Sequence, residues 1–271
     1  MSSMNQVRPA AVSGSFYPRQ PEALAQEVAA LLGAAKQHKS ATPKALIAPH
    51  AGYIYSGPVA AHAYARLEPA RGRIKRVVML GPAHFVAVRG LALPDACGFA
   101  TPLGMVPLDE VNVEMLSRLP QVLQSKAAHA SEHSLEVQLP FLQTVLEKFT
   151  LVPLAVGDAT PEEIADVLDL VWGGEETLIV VSSDLSHYLP YETARRVDQA
   201  TAQAILELRQ SISHQQACGA SPVNGLMLAA QRHCLKPELL DLRNSGDTAG
   251  DRSRVVGYAA FAFNESAQYV H

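Results

Sequence analysis

Only three cysteines, Cys97, Cys218 and Cys234, are spread over 271 residues, and no two form a Cys-x-x-Cys pair. An odd count without a framework excludes a disulfide-stapled scaffold and points to a reducing compartment. The apolar runs are no longer than a strand, so no membrane span is expected. Met1-Ser2-Ser3-Met4-Asn5-Gln6 lacks the apolar stretch of a signal peptide, and the expected location is the cytoplasm. Excess positive charge is missing too: the net charge is −4, which gives no global footprint for nucleic acid. There is no Gly-x-x-x-x-Gly-Lys-Ser/Thr loop, no Gly-x-Gly-x-x-Gly after a strand and no Gly-x-Ser-x-Gly elbow. The phosphate-loop, dinucleotide and esterase signatures therefore fail. Internal repeats and low-complexity linkers are also absent.

What is there suits a large core. Hydrophobic residues make up 48% of the chain, enough for one α/β domain over residues 1–271. Apolar, β-branched runs predict strands at 45–48, 76–80, 151–156, 177–182, 239–242 and 255–263, with a further strand at 90–93. Periodic segments predict helices at 22–35, 109–119, 134–149, 161–170, 191–209 and 221–233. Another helix is expected to open at Ser56-Gly57-Pro58 and run to Leu67, with Pro58 in its first turn. Asp109 and Thr160 are expected to cap their helices. Pro140 inside its segment invites a break, and Gly257 in the last strand suggests a close neighbour. Alternation of strands and helices implies a mostly parallel or mixed central sheet covered by helices on both faces.

Three of the predicted strands lead into histidine. Ala45–Ala48 is followed by Pro49-His50, Arg76–Leu80 by Gly81-Pro82-Ala83-His84, and Thr177–Ser182 by Ser183-Asp184-Leu185-Ser186-His187. In open α/β sheets, ligands bind beyond the carboxyl ends of the strands. Imidazoles and a carboxylate gathered there form a mixed nitrogen and oxygen set suited to iron, copper or zinc. A single histidine after a strand is more often an ordinary hydrogen-bonded loop residue; it is the threefold recurrence that points to a site. His38, His62, His214 and His271 are read as surface or core residues, and Cys218 and Cys234 as buried or idle. Ser134, Ser183 and Ser186 lie beside histidines, but sequence neighbours rarely point their side chains at each other, so a serine hydrolase is disfavoured.

The motifs Ala48-Pro49-His50-Ala51-Gly52-Tyr53, Gly81-Pro82-Ala83-His84, Glu132-His133-Ser134-Leu135-Glu136 and Ser182–Tyr188 occur in one order. They are followed by Asn244-Ser245-Gly246-Asp247 and Val256-Gly257-Tyr258-Ala259-Ala260. In that combination the chain resembles the Memo family over nearly its whole length, and within it the prokaryotic kind called AmmeMemoRadiSam system protein B. The resemblance implies a fold similar to the class III extradiol dioxygenases, which hold non-haem Fe(II) with two histidines and a glutamate. It implies His50 and His84 as metal ligands, His133 and His187 as acid–base groups, and Asp184 lining the same pocket. Animal relatives present a cysteine in the C-terminal loop, where this chain has Thr248 beside Asp247. Of these two, the Asp247 carboxylate is chemically the better third ligand. The implied cofactor is a divalent metal, Fe(II) first, with copper or zinc as alternatives. The implied activity is a metal-dependent redox reaction on an unidentified small molecule. A radical-SAM protein and a third, AmmeMemo-type protein are the implied partners. The rival expectation is an adaptor that recognises a ligand or peptide in the same pocket; a third is a zinc hydrolase.

Overall fold

A computed structural model describes residues 6–35 and 42–265; His38 and His271 lie outside them. Strands in chain order are β1 Val7–Arg8, β2 Ala45–Ala48, β3 Arg76–Pro82, β4 Leu91–Leu93, β5 Gly98–Thr101 and β6 Gly104–Pro107. They continue with β7 Val122–Gln124, β8 Thr150–Val156, β9 Thr177–Ser182, β10 His187–Leu189, β11 Leu235–Asn244 and β12 Val255–Glu265. The helices are α1 Pro21–Ala34, α2 Tyr53–Tyr64, α3 Glu110–Leu116, α4 Lys126–Ala130, α5 Leu139–Val145, α6 Pro161–Leu170, α7 Tyr191–Leu206, α8 Ala220–Arg232 and the single turn α9 Ser245–Thr248.

The main sheet runs β10-β12-β2-β9-β3-β8-β4-β7, with β11 also paired to β12. Its centre, β2-β9-β3-β8, is parallel, whereas β12 joins β2 and β4 joins β8 antiparallel. The sheet is therefore mixed. Alternation along the central strands splits the core in two. Leu46, Val77, Met79, Leu178 and Val180 face one apolar layer with α1, α2 and α5 residues. Ile47, Val78, Leu80, Ile179 and Val181 face the other, with residues of α6, α7 and α8. Side chains that alternate along a strand must be apolar on both faces when helices cover both. No helix among the described residues is long and apolar enough to cross a membrane.

Several local expectations hold. Thr160 and Glu163 form a reciprocal capping box on α6, and the Asp109 side chain accepts the Asn112 N–H of α3. Two helices differ from expectation. The second begins at Tyr53 rather than Ser56, because the Tyr53 N–H is held by the Phe16 carbonyl at 2.8 Å. Pro58 thus falls inside α2, where it lacks the N–H that would close the turn to residue 54. The 134–149 helix is broken: a 3-10 turn spans Glu136–Gln138, and α5 starts at Leu139 with Pro140 in its first turn, where the missing N–H costs nothing.

The parallel order β2-β9-β3 brings the segments after Ala48, Ser182 and Pro82 to one edge of the sheet. The 132–138 segment is stapled across that edge. Ser134 Oγ donates to the Pro82 carbonyl at 3.0 Å, and Ser182 Oγ donates to the Ser134 carbonyl at 2.6 Å. The buried Glu136 then fastens the N-terminal segment. Its carboxylate takes Arg8, the Ala11 and Val12 N–H groups at 2.7 and 3.0 Å, and the Tyr17 hydroxyl. This seats Phe16 against the ring of His133, 4.8 Å between centroids.

Candidate metal centre

His50 lies beyond β2, His84 beyond β3, and His133 in the stapled segment. Each offers a ring nitrogen within 4.8 Å of the others, an arrangement able to hold a metal ion. His84 and His133 stack at 4.8 Å, and His50 meets both edge-on at 5.3 and 5.4 Å. His50 is buried, His133 half-buried and His84 open to solvent. The cluster is thus anchored at depth and reachable from outside.

The tautomer of His50 follows from a proton count. Its Nδ1 lies 2.8 Å from Ser182 Oγ. Ser182 gives its only hydroxyl proton to Ser134 O and accepts from the Gln138 amide at 2.8 Å. Nδ1 must therefore be the donor, which leaves Nε2 with a lone pair. Burial, then the neighbouring His133 and His84, push this imidazole well below its ordinary pKa, so it is held neutral, the form that binds metal.

Glu132 performs the same service for His84. Oε1 lies 2.9 Å from the His84 Nδ1, and Oε2 accepts the His84 backbone N–H at 2.6 Å. The same carboxylate is 3.6 Å from His133 Nδ1. Burial opposes ionisation of Glu132, yet the hydrogen bond and charge of His84 and the backbone bonds from His84 and Ser134 hold it down at about 2. A carboxylate behind a histidine fixes the ring and raises its basicity as a ligand.

Asp184 and His187 sit beside this cluster. Asp184 Oδ1 accepts the His50 N–H at 2.7 Å, and burial raises its pKa against the pull of backbone bonds from His50 and Ala51. His187 Nδ1 donates to the Leu185 carbonyl at 2.8 Å, leaving Nε2 available. Tyr188 follows with φ of 58° and stands exposed, as does Phe85 after His84. The Leu185 N–H and the Gly257 carbonyl bond at 2.8 Å, as do the Gly257 N–H and the Ser186 carbonyl. A Cβ on Gly257 would lie 2.1 Å from Asp198 Oδ2, so the close neighbour expected of that glycine is the Asp198 carboxylate.

Of the residues singled out in the sequence, His50, His84, His133, Asp184 and His187 come together. Asp247 does not join the histidines. Its carboxylate accepts the Asn244 N–H at 3.1 Å as part of a capping box on α9, and takes the Tyr191 hydroxyl. Thr248 Oγ1 bonds back to the Ser245 carbonyl. Sequence reasoning missed Glu132 and Ser182 as orienting groups, although both stand inside the motifs that carry the histidines. It also passed over Cys218, whose Sγ lies 3.3 Å from His50 Nε2. Burial and the nearby Asp184 push that thiol up to about 12, so it carries its proton.

The family model for Memo-like proteins matches residues 8–262. The chain belongs to the Memo-like family. This Memo-like protein is 38% identical over 269 residues to a MEMO1 family protein of Aquifex aeolicus, covering 95% of this chain and 99% of the relative. It is 36% identical to one of Archaeoglobus fulgidus, covering 93% and 97%, and 34% identical to one of Sulfolobus acidocaldarius, covering 96% and 100%.

Proposed function

We propose that this Memo-like protein is a non-haem metal-dependent redox enzyme whose metal is held by His50, His84 and His133. The observation that carries the reading is the set of three imidazoles brought within 4.8 Å of one another from three separate segments. Their outer nitrogens are addressed by Ser182 and Glu132. Neutral nitrogen donors with supporting partners fit iron, copper or zinc, and do not fit calcium or magnesium. Fe(II) is the metal favoured by the resemblance to class III extradiol dioxygenases. His133, rather than Asp247, serves as third ligand in this reading, because Asp247 is committed to its cap and to Tyr191.

A bound metal would supply Lewis acidity and redox capacity. The protein's own groups handle protons. Nε2 of His187 accepts a proton from a substrate hydroxyl or returns it, since Nδ1 is fixed on Leu185. Asp184, whose pKa burial raises, fixes the His50 backbone and supplies a second proton site. A substrate with two neighbouring oxygen donors would exploit such a centre. The reading extends to a radical-SAM protein and an AmmeMemo-type protein as partners, which co-purification would test.

Elemental analysis of protein purified anaerobically without chelator tests the reading, alongside the His50→Ala/His84→Ala variant. Near-stoichiometric iron or copper, lost in the variant, supports it and justifies oxygen-uptake screening. Zinc with no oxygen consumption would turn it to hydrolysis. No metal even after reconstitution would turn it to the adaptor reading, which the exposed Phe85 and Tyr188 beside the site favour.

A further inference from the structure

A cavity opens where the N-terminal segment, the loop after β4 and α4 meet. None of His50, His84, His133, Asp184 and His187 lines it. Its volume is about 220 Å³, and Val7, Pro9, Pro94, Ala96 and Ala130 make much of its wall apolar. An apolar cavity of about 150 Å³ already takes benzene, so this one has room for a substituted ring. The charged groups on the wall are engaged within the protein. Arg8 gives Nε to the His129 carbonyl at 2.8 Å and its two amino groups to the Pro9 and Glu132 carbonyls and the Glu136 carboxylate. Lys126 Nζ donates to Gln6 Oε1 at 2.7 Å, and Asp95 is not free either. No charge is left over to meet a charged ligand.

His129, which belongs to the same wall, is different. It is 1% exposed. Its Nε2 lies 2.8 Å from the Ala92 carbonyl and must donate, because a carbonyl only accepts. Nδ1 is then the acceptor, and burial, which holds this imidazole down to about 4, keeps its lone pair free of a proton at neutral pH. That nitrogen has no partner among the described residues. Buried polar atoms are seldom left unmet, and this one stands in the wall of an apolar cavity. We propose that the cavity binds an uncharged single-ring molecule carrying one hydroxyl or N–H donor, which it gives to Nδ1 of His129. The apolar wall takes the ring, and the lone acceptor sets its orientation. The site is independent of the metal reading.

Phenol and toluene test it, since they share a shape and only phenol has the donor. Titrated into the full chain with isotope-labelled histidine, phenol is expected to bind at millimolar concentration or below and to move the His129 ring resonances. His129→Phe keeps a ring in place and removes the acceptor. The ratio of phenol to toluene affinity, in which the difference in hydrophobicity cancels between the two proteins, should then fall about 5–10-fold. Ala130→Phe adds a ring at an exposed position of the wall, leaves His129 untouched, and should lose both ligands. Should His129→Phe not fold, the wild-type resonances and Ala130→Phe still decide. Phenol that does not bind wild type overturns the site. Phenol that binds without moving the His129 resonances, or that still binds Ala130→Phe, overturns it too, since it would lie elsewhere. An unchanged ratio in His129→Phe overturns the pairing with Nδ1.

Discussion

Glu132 grips His84 twice, taking the backbone N–H on one oxygen at 2.6 Å and the ring Nδ1 on the other at 2.9 Å. One carboxylate thereby sets both where the residue sits and how its ring turns. Glu132→Gln keeps the shape and removes the charge. We expect metal affinity to fall about 10–100-fold, with the variant still folded. Competition against a chelator of known affinity measures this, and unchanged affinity would show that the carboxylate does not tune the ligand.

In the proposed reading His133 takes the ligand role that sequence alone gives to Asp247. Asp247→Ala should leave metal stoichiometry as in wild type, because its carboxylate serves α9 and Tyr191. His133→Ala should lower it sharply. Metal analysis of the two variants side by side decides between them; loss of metal in Asp247→Ala alone would restore the carboxylate as ligand.

Gly257 binds the 184–187 loop to β12 through two backbone bonds, and its face is filled by Asp198. Gly257→Ala must push against a buried carboxylate that also accepts the Ser186 N–H at 3.0 Å. Overpacking of this kind costs about 1–3 kcal/mol. Urea denaturation should show that loss, and metal-loaded protein should show a disturbed His187. An unshifted midpoint would mean the strand yields without strain.

Stability should fall on mild acidification. Burial above all drives His129 down to about 4, while its Nε2 donates to the Ala92 carbonyl at 2.8 Å. Its Nδ1 has no hydrogen-bond partner among the described residues, so a proton there would be buried unsatisfied. The unfolded chain takes up this proton below about 6.5 and the folded chain only near 4, so unfolding gains protons in that window. The contribution is complete above the upper value and lost progressively toward the lower, up to about 3 kcal/mol. His50 and His133, also held below their ordinary value, add to the same limb. Urea midpoints across this range should decline in wild type and decline less steeply in His129→Gln. Parallel curves would remove His129 from the account.

Much of the architecture was legible in the sequence by itself. Ala45–Ala48 and Thr177–Ser182 are strands at the residues their apolar runs indicate, and the Thr160 box starts α6 where its spacing says. These signals are local: burial on both faces of a parallel sheet demands continuous apolar runs, and a cap needs only the next three residues. The family and the histidines after β2 and β3 were legible for the same reason, as motifs tied to strand ends. What tertiary structure alone decided is which groups meet the histidines. Ser182 reaches His50 across 132 residues, Glu132 reaches His84 across 48, and Cys218 reaches His50 across 168. Asp247, chosen from its place in a loop, satisfies instead a local cap that the chain supplies three residues away. Sheet order and side-chain direction settle such pairings, and neither is written in the spacing of residues along one strand.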